Sequence, residues 1–485
     1  MDAQAILEIK PALTDYLHEF DGCFANVRSQ LHLATYVAGQ LSDLQRKSIE
    51  PMADAAGVPP RTLQEFLSLA RWDEGAARDR LQRRVARRHG APNSMGIIDE
   101  TSYVKKGNQT ACVQRQHCGA AGKTENCVVS VHLGYAVGDF HTLLDGEPYL
   151  PEETWHHDRV RCRAAGIPDE VVYRSKWQMA LTQYRRAVGN GVRFAWLTFD
   201  EGYGGKPPFL RELDGCGQNY VGEIPVSFVG WTVPPEVLQR RLPRDKRMGR
   251  PRKLPRLKVR HTPACEVRDI LKSSPILRRV PWVAYHVKDG EKGPMVWEAK
   301  RVAFWIKDER KLPVGPYHLL ICRRALDRTD VKFFLSNAPM DTPVTQLLLV
   351  AFDRWRIERM FEDSKGELGL DHFEVRRYGS LCRHLLLTCV SHLFLAEYCQ
   401  RQKKRCGIDG SSGVDGDAGA GEVLVPGRPM LAKACRIDRR ATGDNAGAQR
   451  QSAAQPSQAN DTTITGPRLQ IEKPDPMSLA QNVAL

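Results

Sequence analysis

Two short apolar runs, each closed by an aspartate, constrain this chain more than any other feature in it. Met95, Gly96, Ile97 and Ile98 lead into Asp99, and Phe194, Ala195, Trp196, Leu197, Thr198 and Phe199 lead into Asp200. Apolar runs of this length read as buried strands, each with a carboxylate at its exit. Glu201 and then Gly202, Tyr203, Gly204 and Gly205 follow the second run as a turn. In open α/β sheets, ligand groups collect outside the carboxyl ends of strands, so the two aspartates are expected to be neighbours in space. Taken singly, each is a strand-end cap or a turn residue.

A third carboxylate changes that balance. Over residues 348–374, read at 3.6 residues per turn, Ile357, Phe361, Ser364 and Leu368 form one largely apolar line, the buried side of a helix packed across the sheet. Beside it Arg354, Glu358 and Lys365 fall within a narrow arc, which sets an acid between two cations. An isolated helix with this face is a solvated surface with neighbouring ion pairs. Combined with Asp99 and Asp200, Glu358 completes a set of three carboxylates with no Cys or His ligand pattern nearby. Such a set favours a hard, oxygen-seeking cation, Mg²⁺ or Mn²⁺.

The segments Ile98-Asp99-Glu100-Thr101, Lys105-Lys106-Gly107, Gln114-Arg115-Gln116 and Thr198-Phe199-Asp200-Glu201-Gly202-Tyr203-Gly204 resemble bacterial insertion-sequence transposases with a DDE triad. The helix matches their third signature, in which Tyr, Arg, Glu and Lys are separated by two, three and six residues. Arg354, Glu358 and Lys365 keep that spacing, and the tyrosine position is Ala351. Gly366 to His372 is similar to the family as well, and the resemblance runs from about residue 20 to residue 400. It implies a ribonuclease-H-like catalytic core in which Asp99, Asp200 and Glu358 hold Mg²⁺, with Mn²⁺ as a substitute. The implied reaction cuts a strand at the element end and then joins the freed 3′-hydroxyl to a target phosphate. Arg354 and Lys365 would hold flanking phosphates on double-stranded DNA, and the protein would act on that DNA as a homodimer. Two alternatives are a ribonuclease-H-like nuclease without strand transfer and an inactive or domesticated DNA-binding protein.

A formal net charge of +14 calls for a polyanionic partner, since Lys and Arg that neutralise phosphates release counterions and dominate non-specific affinity. The opening residues carry Asp2 and Glu8 and lack a secretory core, and the apolar stretch 385–395 is too short to span a bilayer. A bacterial cytoplasmic, nucleoid-associated protein with no membrane partner is therefore expected. The thirteen cysteines include no Cys-x-x-Cys pair, and their odd number argues against a disulfide framework.

The expected fold class is α/β, a ribonuclease-H-like core interrupted by a strand-rich insertion, with an N-terminal helical domain and a disordered C-terminal tail. Residues 1–90 form the helical, DNA-binding unit. Within it 52–66 has the profile of a helix-turn-helix and equally of an ordinary helical hairpin, and a basic helix carrying Arg78, Arg80, Arg83, Arg84, Arg87 and Arg88 follows. This block either recognises the element end or packs on the core.

The first part of the core occupies 91–224, with strands at 111–117, 127–137 and 218–223 and a helix at 176–188. His117, His141, His156 and His157 match no zinc spacing and are expected in loops. Residues 225–338 form the basic insertion. It opens with an extended loop over 244–260, where Arg250, Arg252 and Lys253 are candidate phosphate contacts unless the loop is merely solvated. Strands at 283–287, 296–306, 317–323 and 332–335 follow as a small sheet. Residues 339–400 return to the core with the Glu358 helix, and 401–485 turn to a low-complexity composition that cannot bury enough apolar surface to fold alone.

Overall fold

The computed structural model of the protein describes residues 3–239, 254–259, 262–290 and 293–405. Five helices come first: α1 (Ala3–His18), α2 (Val27–Leu41), α3 (Ile49–Ala56), α4 (Pro60–Ser68) and α5 (Glu74–His89). Their boundaries are set by local chemistry. The Asn26 side chain accepts the Ser29 amide at 2.9 Å to start α2, and Asp73 accepts the Ala76 amide at 2.8 Å to start α5. Gly57 ends α3 in the left-handed conformation at φ 67°, and Pro60 opens α4, so the helix-turn-helix profile of 52–66 is realised as two short helices.

These helices share one hydrophobic core with the sheet, and they pack on the long final helix through residues such as Tyr36, Leu63, Phe66 and Leu81. The basic helix α5 lies against acids. Buried Arg84 meets Glu397 through Nε at 2.9 Å and Nη2 at 2.5 Å and also bonds Glu19, which Arg87 and Arg88 reach at 3.3 and 3.7 Å. Arg78 pairs with Asp145 at 2.8 Å. Arg78 and Arg84 are thus packed on the core, whereas the side chains of Arg83, Arg87 and Arg88 are more than half exposed.

The next part of the chain builds the core sheet: β1 (Met95–Val104), β2 (Gln114–Cys118), β3 (Lys123–Val137), β4 (Phe140–Pro148), α6 (Arg159–Ala164), α7 (Lys176–Gly189), β5 (Trp196–Phe199), α8 (Glu201–Gly204), α9 (Pro207–Gly215) and β6 (Tyr220–Ile224). Antiparallel β2, β3, β4 and β1 are followed by α7 and then by β5, parallel to β1, and β6, parallel to β5. Strand β4 was not anticipated. His117 and His141 lie in strands β2 and β4 rather than in loops.

The insertion contributes β7 (Val229–Trp231), β8 (Val237–Leu238), β9 (Arg256–Leu257), β10 (Cys265–Glu266), α10 (Val267–Ser273), α11 (Pro275–Arg279), β11 (Val283–Gly290), β12 (Gly293–Lys307), β13 (Pro313–Arg324) and β14 (Val331–Ser336). Its main strands do not form a small sheet of their own. Strand β14 pairs with β6 from Phe333↔Ile224 to Ser336↔Val221, so core and insertion fuse into one twelve-stranded sheet in the order β10-β7-β12-β13-β14-β6-β5-β1-β3-β2, with β11 on β12 and β4 on β3. Burial explains the continuity: an unpaired β6 edge would leave amide and carbonyl groups unsatisfied beside Tyr220, Val221 and Leu335, all fully buried.

The chain closes with α12 (Val344–Phe352), α13 (Trp355–Gly366) and α14 (Tyr378–Arg405). The continuous helix expected over 348–374 is two helices and a loop. It breaks at Asp353 and Arg354, where the amides of Arg356 and Ile357 bond back only three residues. Phe352 packs on Trp297 and Phe334 of the insertion strands, at ring distances of 4.6 and 5.6 Å, whereas Ile357 and Met360 lie over Gly134 of β3. The two helices therefore dock on two different surfaces. The apolar line lies wholly beyond the break, and Ile357, Phe361, Ser364 and Leu368 are all buried.

Helix α14 is long and apolar enough to cross a bilayer by length and composition, longer than the segment 385–395 suggested, but most of it is buried in the core. The tail from residue 406 onward, and Arg250, Arg252 and Lys253, lie outside the described residues.

Candidate functional site

Strand β5 ends beside the middle of β1. Ile98↔Phe199 is the last parallel pair, so Asp99 and Asp200 are the next residues on two adjacent strands. Asp99 is not at a strand exit as the sequence suggested, because β1 continues to Val104 paired with β3, where Asp99 faces His132. Its Oδ1 accepts the Glu100 amide at 2.7 Å. Asp200 does end its strand and caps α8, its Oδ1 accepting the amides of Gly202 at 3.0 Å and Tyr203 at 3.4 Å.

The third element arrives from α13, which crosses β1, β3 and β4. The helix lies close on β3 there: a Cβ at Gly134 would stand 2.7 Å from Met360 Sδ and 2.8 Å from Ile357 Cδ1, so the ends of those side chains would have to shift. Arg354, at the start of α13, joins the site together. Its Nη1 donates to Asp99 Oδ2 at 2.5 Å and its Nη2 to Glu358 Oε1 at 3.0 Å. The Glu358 side chain is 64% exposed, against 13% for Asp99. Lys365 stands apart from this bridge. Its Nζ donates to Ser102 O at 3.5 Å, further along β1, and lies 5.9 Å from the Tyr103 ring centre.

The electrostatics are those of a site short of positive charge. Burial raises the Asp99 carboxyl to about 7, with Arg354 opposing the shift and Asp200 adding to it. Burial also raises Asp200, again against Arg354 and with Glu100 adding. Burial works against the Arg354 charge, yet Asp99, Glu358, Asp200 and Glu223 outweigh it and hold the guanidinium above its ordinary value. One guanidinium thus serves several carboxylates.

The chain's sequence matches the family described as DDE superfamily endonuclease over residues 19–294. The chain belongs to this family. Endonucleases of the superfamily use divalent metal ions. The match contains Asp99 and Asp200 and ends before Glu358, whose place in the site rests on the Arg354 bridge. The chain is also similar to the probable transposase for insertion sequence element IS701 of Microchaete diplosiphon, at 32% identity over 215 residues. That alignment covers 43% of this chain and 53% of the relative, so the chain spans about half the length of the curated relative it matches.

The candidate donors Asp99, Asp200 and Glu358 suit such an ion. They are carboxylate oxygens alone, and the mutual repulsion of the Asp99 and Asp200 charges is what a divalent cation relieves. Among the described residues no three Asp, Glu, His or Cys side chains are gathered closely enough to hold a metal ion, and the Glu358 carboxylate is turned to Arg354.

Sequence reasoning assigned no role to two residues near these carboxylates. Glu100 bonds Lys176 at 2.6 Å and its charge bears on Asp200, and Tyr203 donates its amide to Asp200 Oδ1 while its ring is buried against Phe209. Both stand in the segments that carry the resemblance, Glu100 directly after Asp99 and Tyr203 three residues after Asp200. Trp355, 43% exposed with the Lys288 ammonium 4.0 Å from its ring centre, ties the insertion strand β11 to the start of α13.

Proposed function

We propose that the protein is a DNA transposase that cuts and joins DNA strands at insertion-sequence ends, with Asp99, Asp200 and Glu358 as its catalytic carboxylates and Mg²⁺ as its metal, Mn²⁺ substituting. The observation that carries this reading is the Arg354 bridge, which links the Asp99–Asp200 strand pair to Glu358 across two elements distant in sequence. Membership in the endonuclease family and similarity to an insertion-sequence transposase support it. A divalent cation held by Asp99, Asp200 and Glu358 would supply a nucleophilic oxygen at neutral pH and would offset charge on the phosphate.

Asp99 and Asp200 would hold that cation from the sheet, and Glu358 from α13. Arg354 would exchange its carboxylate partners for a phosphate oxygen of the bound strand, a ligand it can grip with the same planar fork. Lys365 would hold a phosphate further along β1. The substrate is double-stranded DNA, at element ends and at the target, bound by a homodimer in the bacterial cytoplasm at the nucleoid. Arg250, Arg252 and Lys253 would add backbone contacts.

The test is cleavage of an end-containing duplex by Asp99→Asn, Asp200→Asn and Glu358→Gln proteins. Each change removes a carboxylate charge that would hold the metal and leaves the groups that would hold phosphate in place. Each should therefore abolish Mg²⁺-dependent cutting while DNA binding survives. Full cutting by any one of them would remove that residue from the set.

A further inference from the structure

The row of site carboxylates does not end at Asp200. Phe199↔Gly222 is the last parallel pair between β5 and β6, so Glu223 stands beside Asp200 as Asp200 stands beside Asp99. Asp200 keeps an extended backbone, at φ -81° and ψ -179°, which carries the alternation of faces one residue beyond β5. The face can be followed across the sheet. Gly134 lies under Met360 and Ile357 of α13 and pairs with Ile97, Ile97 pairs with Thr198, and Thr198 with Val221. Two residues further along β1, β5 and β6 come Asp99, Asp200 and Glu223, on that same face and about 4.8 Å apart from strand to strand. Glu223 opposes Phe334 of β14, whose ring packs on Phe352, two residues before Arg354.

Both ends of this row are ion-paired, and the middle is not. Arg354 holds Asp99 at one end. At the other, Lys332 of the insertion donates from Nζ to Glu223 Oε1 at 2.8 Å. Asp200 accepts the amides of Gly202 and Tyr203 and has no ion pair among the described residues. Each flanking cation carries a single charge and is tied to its own carboxylate. The uncovered negative charge is therefore centred on Asp200, between two neighbours of like charge, which is where a divalent ion gains most. Glu223 is also set more firmly than Glu358: its side chain is 17% exposed against 64%, and it stands on a strand inside the sheet. Its charge reaches Arg354, whose guanidinium it helps to hold above the ordinary value.

We propose that Glu223 is a fourth carboxylate of the cation site, occupied by Lys332 until a divalent ion displaces it. This rests on the reading of Asp99 and Asp200 as cation ligands. Glu223 acts by charge and position, and it makes and breaks no covalent bond. Lys332 competes with the ion for Glu223, so the two residues act on cation binding in opposite directions.

The experiment titrates Mn²⁺, followed by electron paramagnetic resonance, into full-length wild-type, Glu223→Gln, Lys332→Met, the double variant and Asp200→Asn, each also melted in EDTA. Glu223→Gln should bind Mn²⁺ about tenfold more weakly than wild type, and Lys332→Met more tightly. The gain from Lys332→Met should largely vanish in the Glu223→Gln background, because the ammonium then has no carboxylate to release. An equal gain in both backgrounds would mean general charge repulsion and would overturn the proposal. So would unchanged Mn²⁺ affinity in a Glu223→Gln protein that melts as wild type does. If Glu223→Gln fails to fold, Lys332→Met decides: tighter binding upholds the proposal, and unchanged or weaker binding removes it. Mn²⁺ binding indifferent to Asp200→Asn would instead take down the underlying site, and this inference with it.

Discussion

Asp99→Asn should make the metal-free protein more stable at neutral and alkaline pH while destroying its cutting activity. Asp99 ionises in the fold at about 7 instead of 3.8, chiefly because burial disfavours its charge. Between those two values the folded state keeps a proton that the unfolded chain has released, so stability falls as the pH rises through that window. Each pH unit there is worth about 1.4 kcal/mol, which puts the cost of the ionised carboxylate at about 4 kcal/mol once the pH exceeds 7. Asparagine has nearly the same shape, keeps an oxygen for Arg354 and carries no charge.

The variant should therefore match wild type near pH 4 and exceed it by an amount that grows with pH, reaching about 4 kcal/mol by pH 8 as an upper figure. Urea unfolding in EDTA at pH 4.5, 6 and 8 measures the difference directly. Adding Mg²⁺ at pH 8 should close part of the gap, because only the aspartate gains from the cation. A variant less stable than wild type at pH 8, or a difference that ignores pH, would refute the account of Asp99 as a charge held at a cost.

Two further outcomes concern charges away from the carboxylate pair. Burial pushes the Glu397 carboxyl up, but hydrogen bonds from His89 and Arg84 outweigh it and hold it at about 2, so its contribution is complete above the unfolded value of 4.5 and is lost as the pH falls through about 2. Glu397→Gln should cost about 3 kcal/mol at pH 7, since Arg84 is left buried with Glu19 alone; urea melts at pH 7 and pH 3 should show the deficit shrinking on acidification, and a constant deficit would count against the ion pair as its source. Replacing Arg250, Arg252 and Lys253 together with alanine should weaken binding to every DNA sequence alike and lower the slope of log affinity against log salt by about one for each phosphate no longer neutralised. An unchanged slope would return that loop to the merely solvated.

What could be read from the sequence was local. The runs before Asp99 and Asp200 announced β1 and β5 because buried strands need unbroken apolar residues. Helix α7 and the insertion strands β11 to β14 were placed to within a few residues by periods of 3.6 and 2, and the spacing of Arg354 and Glu358 put both on one helical face. These signals come from a residue's near neighbours along the chain, and the backbone geometry alone carries them.

Tertiary structure decided everything that joins distant segments. Only the β6–β14 pairing fuses insertion and core into one sheet, because hydrogen-bonded edges match by backbone groups that every sequence possesses. Only packing on Trp297 and Phe334 on one side, and on Gly134 on the other, breaks the helix between Phe352 and Trp355. The sequence left the basic helix open between recognising DNA and packing on the core, and only the fold shows that Arg84 and Arg78 meet Glu19, Glu397 and Asp145. The same holds at the site: composition shows that Arg354 is a cation, but its hold on Asp99, 255 positions away, exists only once α13 lies across β1. Charge is written in the sequence, whereas the partner that neutralises it is chosen by the fold.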